Sequence, residues 1–458
     1  MEGNMNSKEG SSAVKFSSCV IAAVVAASSV SASAKGLVGF KFESSHADSL
    51  YRLGEEAAVT ITATNGAGEA VKSGFVRLEW DNYGRHNLGV VKKWDFAETN
   101  PIVVRGSLDK PGFMRVRVQG KDAGGTWIGC QWGVGFEPEK IRPASERPAD
   151  FDRFWDDAVA RFAREVPIDA KMEKDEAESA KGGGRFDCYR LTFATVPAGR
   201  VIRGQLCVPT NGKGPWPVSM NVPGAGSGSW GFTRLPGRVF LTLNVLDYPR
   251  VPRGGDDVKK LYAEQNASWG GKGGMGRTWY FEGDVTKGRE DYFYYGAILG
   301  INRAVDWVAA LPFVDTSDFR YAGQSQGGAF GIILAALNTH LTRAQIGEPA
   351  VTDISGILAD GRQSGWPMLP EKFEKKPCYD NLMKMLPYFD CAHFVPRIKI
   401  PTRWFVGFID ELCPPHAVWA GYNCLRTDDK KMLNFPGLGH GTPARLYHEA
   451  AKQVQASW

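Results

Sequence analysis

The sequence predicts two folded parts, a small all-β module followed by an α/β domain with a largely parallel sheet. The first observation is that residues 37–136 contain short stretches of alternating apolar and polar residues separated by turn dipeptides. The second is that strand-like and helical stretches alternate after residue 150, as they do when helices connect parallel strands. The third is the length of 458 residues, which exceeds that of one typical domain.

The front part, residues 35–138, is predicted to be a β-sandwich of immunoglobulin-like type. Its strand-like stretches are residues 59–64, 75–80, 113–118 and 128–136, and the turns between them are Asn65-Gly66, Tyr83-Gly84 and Pro111-Gly112. No helical period interrupts them, and the cysteine pair of immunoglobulin domains is missing. We interpret this part as a spacer or a packing partner of the second part, with carbohydrate binding as the alternative.

The second part, residues 139–458, begins beside a polar, proline-rich boundary at residues 137–148. Asp150 is placed to cap an amphipathic helix that follows it. Strands are then predicted at residues 186–195, 201–208, 216–222, 239–245, 351–359 and 403–408, and a helix at residues 292–311. This alternation predicts an α/β sheet in which most strands run parallel.

Residues 1–34 have the pattern of a secretory signal. Lys8 and Lys15 precede an apolar run at residues 19–27 that is too short to span a bilayer. Ala32-Ser33-Ala34 supplies the small residues of a cleavage site. We therefore expect a secreted or periplasmic protein with no membrane span, whose mature chain begins near Lys35.

Composition and charge indicate which kinds of binding partner and cofactor to expect. Apolar residues make up 43% of the chain, enough for a large core. The net charge is +5, but the basic residues form no continuous run, so we expect no nucleic-acid partner. The seven cysteines after residue 34 are widely spaced without a C-x-x-C pair, which predicts neither a metal site nor a disulfide framework. We expect no cofactor. A single disulfide and a homo-oligomer stay open alternatives.

A nucleophile elbow is predicted within residues 319–337. A short β-run turns sharply through a G-x-S-x-G motif and continues as an apolar helix. Gly323 and Gly327 have no side chains, so the strand and the helix can pass closely on either side of Ser325. The serine hydroxyl is then exposed at the helix N-terminus, where the helix dipole and free N–H groups favour the negative charge on an attacked acyl carbonyl.

A serine nucleophile needs a base and a group that orients the base, and elbow enzymes supply them in the chain order serine, acid, histidine. Asp410 and its neighbour Glu411 both follow a predicted strand, so either carboxylate can face the same edge of the sheet as the elbow. His416 lies in the first turn of a predicted helix, and His448 lies within the terminal helix. His440 lies in a loop after a short β-run and is the candidate base.

Two backbone N–H groups are the candidate oxyanion hole. One belongs to Gln326, directly after the nucleophile, and the other to Ala225. Ala225 lies in the loop at residues 223–228, whose small residues allow the backbone to approach a ligand closely.

Aromatic side chains near these loops are the candidate substrate contacts. Trp279 and Tyr280 lie in the glycine-rich stretch at residues 266–283, and Trp230 follows the oxyanion loop. The glycine-rich stretch lacks the G-K-[ST] ending of a phosphate loop, so we interpret it as a loop over a substrate site. A surface loop whose aromatics pack beneath it is the alternative.

Four separated motifs share a family resemblance. They are Gly323-Gln324-Ser325-Gln326-Gly327-Gly328, the stretch from Tyr388-Phe389-Asp390 to Pro396-Arg397-Ile398-Lys399, Asp410-Glu411-Leu412-Cys413-Pro414-Pro415 with Tyr422-Asn423, and Arg147-Pro148-Ala149-Asp150-Phe151. In this order they resemble the acetyl xylan esterase and cephalosporin-C deacetylase family of α/β-hydrolases over residues 145–458. The resemblance implies an α/β-hydrolase fold and deacetylation of acetylated carbohydrates. It also implies Ser325, Asp410 and His440 as the triad, which selects Asp410 over Glu411.

The chain departs from this family around the acyl and sugar pocket. The family's His-Gly-Tyr reads Pro223-Gly224-Ala225, its Arg-Gly-Gln motif is replaced by Tyr248-Pro249-Arg250, and its His-Glu pair is His440-Gly441. The alternatives are a broader short-chain carboxylesterase, a prolyl-oligopeptidase-like hydrolase and a non-catalytic carbohydrate-binding protein. The front module is too short for a propeller, which disfavours the peptidase, and the complete triad disfavours the binding protein.

Overall fold

The protein is represented by a computed structural model that describes residues 36–83, 90–122, 124–225, 231–247, 255–268, 288–358, 361–440 and 444–458. These residues divide into two compact units. The first contains residues 36–82 and the described residues from 90 to 137, and the second contains Tyr83 and the described residues from Pro138 onward.

The first unit consists of two sheets. Its strands are β1 Gly39–Ser44, β2 Leu50–Tyr51, β3 Ala57–Thr64, β4 Phe75–Asp81, β5 Val90–Asp95, β6 Ile102–Gly106, β7 Gly112–Lys121 and β8 Trp127–Phe136. Within the described residues they form a three-stranded sheet, β1-β3-β6, and a five-stranded sheet, β2-β8-β7-β4-β5. Every pair of neighbouring strands in these sheets is antiparallel except the short parallel pair β2 and β8. Every second residue of β3 is buried, because alternate side chains of a strand point to opposite faces. The predicted all-β sandwich is confirmed in these two sheets.

The second unit alternates strands and helices. Its strands are β9 Lys171–Lys174, β10 Phe186–Thr195, β11 Arg200–Pro209, β12 Trp216–Asn221, β13 Val239–Asn244, β14 Val314–Gln324, β15 Arg343–Gly347, β16 Thr402–Gly407 and β17 Lys430–Phe435. Its helices are α1 Phe151–Glu165, α2 Glu176–Lys181, α3 Gly255–Ser268, α4 Phe293–Ala309, α5 Gln326–Leu337, α6 Leu369–Phe373, α7 Tyr379–Met385, α8 Cys391–Phe394, α9 Pro415–Tyr422 and α10 Ala444–Ala456.

One sheet organises the second unit. Among the described residues it has nine strands in the order β17-β16-β15-β14-β12-β13-β11-β10-β9. The strands from β17 to β13 run parallel, and β11, β10 and β9 continue the sheet in antiparallel pairing. Helix α5 is buried along most of its length, as expected for a helix that is apolar on all sides. The predicted α/β class is confirmed.

Two local predictions are wrong. Residues 351–358 do not form a strand: Val351 and Asp353 have φ angles of 53° and 48°, and extended backbone cannot continue through such residues. The strand at this place in the sheet is β15, which ends at Gly347. Asp150 precedes α1 as predicted but makes no side-chain cap, because its carboxylate accepts a hydrogen bond from the Tyr388 hydroxyl.

None of the helices in the described ranges combines the length and the apolar content that crossing a bilayer requires.

Candidate active site

Ser325 occupies a strained turn between β14 and α5. Its backbone has φ 59° and ψ −125°, a conformation that residues with a side chain rarely adopt. The glycines on either side explain how the chain passes through it. A Cβ on Gly323 would lie 2.5 Å from the Gly327 carbonyl oxygen, and a Cβ on Gly327 would lie 2.1 Å from the Val222 carbonyl oxygen. Strand, turn and helix therefore have the geometry of a nucleophile elbow.

His440 lies in the loop after β17 and reaches the elbow. Its Nε2 is 3.0 Å from Ser325 Oγ, and its Nδ1 is 2.8 Å from Asp410 Oδ2. These distances allow the imidazole to accept the serine proton at one nitrogen while the other donates to a carboxylate. The structure thus brings together Ser325, Asp410 and His440, as expected from the sequence.

Asp410 lies after β16 and is fully buried. Its Oδ1 accepts hydrogen bonds from the backbone N–H groups of Leu412 and Cys413 at 2.8 and 2.9 Å, which leaves Oδ2 directed at His440. Glu411 is exposed, so of the two adjacent carboxylates only Asp410 faces the imidazole.

The electrostatics of His440 favour a proton acceptor. Burial lowers the pKa of His440, but the hydrogen bond and the negative charge of Asp410, together with a smaller contribution from Glu348, outweigh burial and raise the pKa above its ordinary value. In this arrangement Asp410 can orient the ring and can stabilise the imidazolium that would form if the ring took a proton.

The loop after β12 approaches the elbow from the other side. A Cβ on Gly224 would lie 3.9 Å from Ser325 Cβ, so the backbone just before Ala225 contacts the nucleophile's turn. The side chain of Gln326 ties the two segments together, with Nε2 3.4 Å from the Pro223 carbonyl oxygen and Oε1 3.0 Å from the Tyr294 hydroxyl. The two predicted oxyanion donors thus belong to segments that meet at Ser325.

The other candidates lie elsewhere. His416 is buried, and its Nε2 is 2.7 Å from the Gln363 carbonyl oxygen. His448 is on α10 and is exposed. The predicted substrate contacts Trp230, Trp279 and Tyr280 lie outside the described residues.

Ser325 and His440 open into a cavity of about 640 Å³. Ala225 and Tyr447 also line it. The small side chain of Ala225 adds little bulk beside the nucleophile, and a cavity of this size accommodates a small organic ligand.

Asp410, Cys413 and His440 offer ligand-type atoms that lie within 4.8 Å of one another. Hydrogen bonds from His440 and from two backbone N–H groups already occupy both Asp410 oxygens. The grouping is therefore explained by the Asp–His pair.

Sequence reasoning missed Glu348 and Tyr447, which lie next to the triad. Glu348 directly follows β15, and the hydroxyl of Tyr447 on α10 lies 2.9 Å from its Oε2. The position of a carboxyl group at the carboxyl end of a sheet strand was a signal that could have identified Glu348.

Comparisons with known proteins identify the family. The acetyl xylan esterase (AXE1) family model matches residues 137–455. Acetyl esterase Axe7A from Xylanibacter ruminicola is 28% identical over 407 residues, covering 87% of this chain and 85% of its own length. That share is too large to fit within residues 137–458, so the similarity extends into the front part.

Solved structures show the same fold. Acetyl xylan esterase from Paenibacillus sp. R4 has a TM-score of 0.55 at 22% identity, and acetyl xylan esterase 1 from Thermoanaerobacterium sp. JW/SL YS485 has 0.56 at 20% identity. Each alignment covers 70% of this chain and 98% of the solved one. The α/β-hydrolase fold and the resemblance seen in the sequence are confirmed: the chain belongs to the acetyl xylan esterase family and is a serine esterase that hydrolyses acetyl esters.

Proposed function

We propose that the chain removes acetyl groups from acetylated carbohydrates through an acyl-enzyme on Ser325. The observation that supports this most directly is the hydrogen-bonded series from Ser325 Oγ through His440 to Asp410, at 3.0 and 2.8 Å, on a strained elbow. An ester carbonyl that enters the cavity meets this hydroxyl beside the N-terminus of α5.

In the first half of the reaction, Ser325 Oγ attacks the acetyl carbonyl carbon while His440 Nε2 takes the hydroxyl proton. The carbonyl oxygen becomes an oxyanion, which the backbone N–H groups of Gln326 and Ala225 stabilise. The C–O bond to the sugar then breaks, and the imidazolium gives its proton to the departing sugar oxygen. Acetyl-Ser325 and a free sugar hydroxyl result.

In the second half, water replaces the sugar. His440 takes a proton from the water while its oxygen attacks the acetyl carbonyl, and the same N–H groups hold the second oxyanion. The bond to Ser325 Oγ breaks, the serine regains its proton from His440, and acetic acid leaves and ionises to acetate.

The carbohydrate part of the proposal rests on the family and on the cavity. The family and the similar solved structures are described as acetyl xylan esterases. A cavity of about 640 Å³ has room for one or two sugar rings beside the nucleophile. We therefore propose short acetylated xylo-oligosaccharides or related acetylated sugars as substrates.

We also propose the arrangement of the whole chain. Residues 1–34 are an export signal, residues 35–138 a separate β module, and residues 139–458 the catalytic domain. The lysine, apolar and small-residue pattern supports export to the periplasm or the medium.

A substrate panel tests the proposed function. Acetate release from acetylated xylo-oligosaccharides is measured next to turnover of 4-nitrophenyl acetate, a longer-chain ester and a proline-containing peptide amide. We expect turnover of both acetyl substrates and none of the amide. Hydrolysis of 4-nitrophenyl acetate without acetate release from any acetylated sugar would replace the proposal with a general short-chain carboxylesterase.

A further inference from the structure

A second buried carboxyl group lies beside the triad and takes no part in the reaction steps proposed for it. Glu348 is fully buried, and its Oε2 lies 2.9 Å from both Gln324 Nε2 and the Tyr447 hydroxyl. Its Oε1 has no hydrogen-bond partner among the described residues. The Glu348 backbone also has a φ of 37°, so the fold holds this side chain in place against a conformational preference.

Tyr447 links this carboxyl group to the loop of the base. The Tyr447 hydroxyl lies 2.8 Å from the carbonyl oxygen of Gly439, the residue before His440. A phenol has one proton, so it can donate fully to Gly439 or to Glu348 but not to both. If Tyr447 donates to Gly439, the proton between Tyr447 and Glu348 must come from a neutral carboxylic acid.

The surroundings of Glu348 favour that neutral form. The titratable groups that face it are Asp410, His440, Tyr447 and Cys413. Burial, followed by the negative charge of Asp410, raises the pKa of Glu348 to about 8, although His440, Tyr447 and Gln324 act in the opposite direction. A carboxylate with one unpartnered oxygen in this place would be costly, because a buried charge needs hydrogen bonds to both oxygens.

We propose that Glu348 is a positioning residue that works as a neutral acid and holds the His440 loop through Tyr447 and Gly439. The proposal rests on the proposed role of His440 as the base. When hydroxide removes the Glu348 proton, Tyr447 turns its own proton to the new carboxylate and releases Gly439.

The pH profile of kcat for 4-nitrophenyl acetate tests this, corrected for spontaneous hydrolysis. In the wild type we expect kcat to fall as the pH rises through about 8. Glu348→Gln cannot ionise and still offers an N–H donor to Tyr447. We therefore expect this variant to keep kcat within about threefold of the wild type at pH 7 and to lack the alkaline fall.

A second variant tests the link itself. Tyr447→Phe removes the hydroxyl between Glu348 and Gly439, and we expect kcat to drop about ten- to a hundredfold at every pH with little change in KM. Tyr295→Phe and Glu178→Gln are the matched controls, because they remove the same chemical groups at other places. Tyr295 is hydrogen-bonded to Arg161, and Glu178 is hydrogen-bonded to Lys181 and Arg234.

An alkaline fall in Glu348→Gln equal to that of the wild type, or an unchanged kcat in Tyr447→Phe, would overturn the proposal. A wrong assignment of the triad would be recognised by a different result. In that case Ser325→Ala would keep its activity, whatever the pH profiles of the Glu348 and Tyr447 variants.

A different observation concerns two cysteines in the sheet. Cys188 on β10 and Cys207 on β11 are direct partners in the antiparallel register. Their Sγ atoms are 3.3 Å apart, and both side chains are buried. Directly opposed antiparallel residues have Cα atoms about 4.5–5.5 Å apart, which lies within the range that a disulfide spans.

We infer that Cys188 and Cys207 form the disulfide site of this chain when it folds under oxidising conditions. The two thiols lose two protons and two electrons to a disulfide oxidant, such as oxidised glutathione, which is reduced to two thiols. Burial raises the pKa of the Cys207 thiol, so little thiolate exists in the folded protein. The bond therefore forms while the strands are pairing, before the site is buried.

Peptide mapping tests this after refolding with oxidised and reduced glutathione and alkylation of free thiols. We expect a cross-linked peptide that contains both residues, and an unfolding temperature several degrees above that of the reduced protein. Cys188→Ala should abolish both effects, whereas Cys391→Ala, another buried cysteine, should retain them. Free thiols at both positions after oxidative refolding, or a bridge to a different cysteine, would overturn the inference.

Discussion

The backbone of Ser325 holds a conformation that costs about 1–3 kcal/mol, and the residues around it maintain that conformation. Its N–H donates to the Gly347 carbonyl at 3.0 Å, and its own carbonyl accepts from the N–H groups of Ala329 and Ala350. Three backbone hydrogen bonds thus hold the turn in place whatever side chain it carries. The hydroxyl can therefore be removed without releasing the turn.

We predict that Ser325→Ala abolishes esterase activity while the fold survives. Loss of a triad nucleophile typically lowers kcat by about a million-fold. The measurement is turnover of 4-nitrophenyl acetate together with the unfolding temperature. Ser317→Ala, at an exposed position of β14, is the matched control and should keep full activity. More than a few per cent of wild-type turnover in folded Ser325→Ala protein would remove Ser325 from the mechanism.

Asp410→Asn is expected to lower kcat by about four orders of magnitude, because the amide cannot hold the ring in the correct tautomer or stabilise the imidazolium. Asp410 raises the pKa of His440, and only the neutral ring accepts a proton. Loss of the carboxylate should therefore shift the acid limb of the residual activity to lower pH. Glu411→Gln is the control and should change neither quantity. An unshifted acid limb would contradict this role of Asp410.

The acyl group is expected to be small. A butyryl chain would gain about 0.8 kcal/mol for each extra buried methylene if room exists, whereas forcing it into a closed pocket costs about 1–3 kcal/mol. We predict a preference for acetyl over butyryl esters of roughly tenfold or more in kcat/KM, equivalent to about 1.4 kcal/mol. Equal turnover of the two 4-nitrophenyl esters would show that Ala225 has widened the acyl site.

At the scale of the elements, the elbow depends on close approach between β12, β14 and α5. A methyl group on Gly327 would overlap the Val222 carbonyl oxygen, because the added Cβ would lie only 2.1 Å from that oxygen. We predict that Gly327→Ala lowers the free energy of unfolding by about 1–3 kcal/mol and also lowers kcat, because the first turn of α5 must shift. Denaturant unfolding and turnover measure both effects.

Gly231→Ala is the control for this substitution, because no atom of the described residues beyond its chain neighbours lies within 4 Å of its added Cβ. Equal stability of the Gly327→Ala variant and the wild type would show that the strand and the helix can separate at this point.

At the scale of the whole molecule, the parallel strands bring together residues that are far apart in the sequence. Ser325 and His440 are 115 positions apart in the chain, yet they meet because β14 and β17 end at the same edge of one sheet. Asp410 reaches the same edge after β16. The active site is therefore a product of the sheet order.

The proposed export is tested on the whole chain. We predict that the mature protein begins at Lys35 or close to it, which intact-mass measurement of protein from the native host can decide. Ala34→Glu should block cleavage and retain residues 1–34, whereas Ser33→Ala should be processed normally. Cytoplasmic protein that retains the segment would contradict the prediction.

Local patterns in the sequence determined much of this protein. Strand alternation predicted β3, β4, β7 and β8, and the alternation of strands and helices predicted the α/β class, because both depend on neighbours a few residues apart. The elbow at Ser325 could be predicted for the same reason, since its glycines lie two residues away. Asp410 and His440 could be proposed from chain order, which follows from the order in which strands join the sheet.

Only the tertiary structure decided which groups face one another. The family resemblance selected Asp410 over the adjacent and chemically alike Glu411, but the physical reason is seen only in the structure, where the N–H groups of Leu412 and Cys413 turn Asp410 toward His440. Glu348 and Tyr447 are 99 positions apart, and no local period links a strand end to a terminal helix. Residues 351–358 have strand-like composition, yet two positive φ angles make them a turn. Such contacts depend on long-range packing, which local periodicity does not encode.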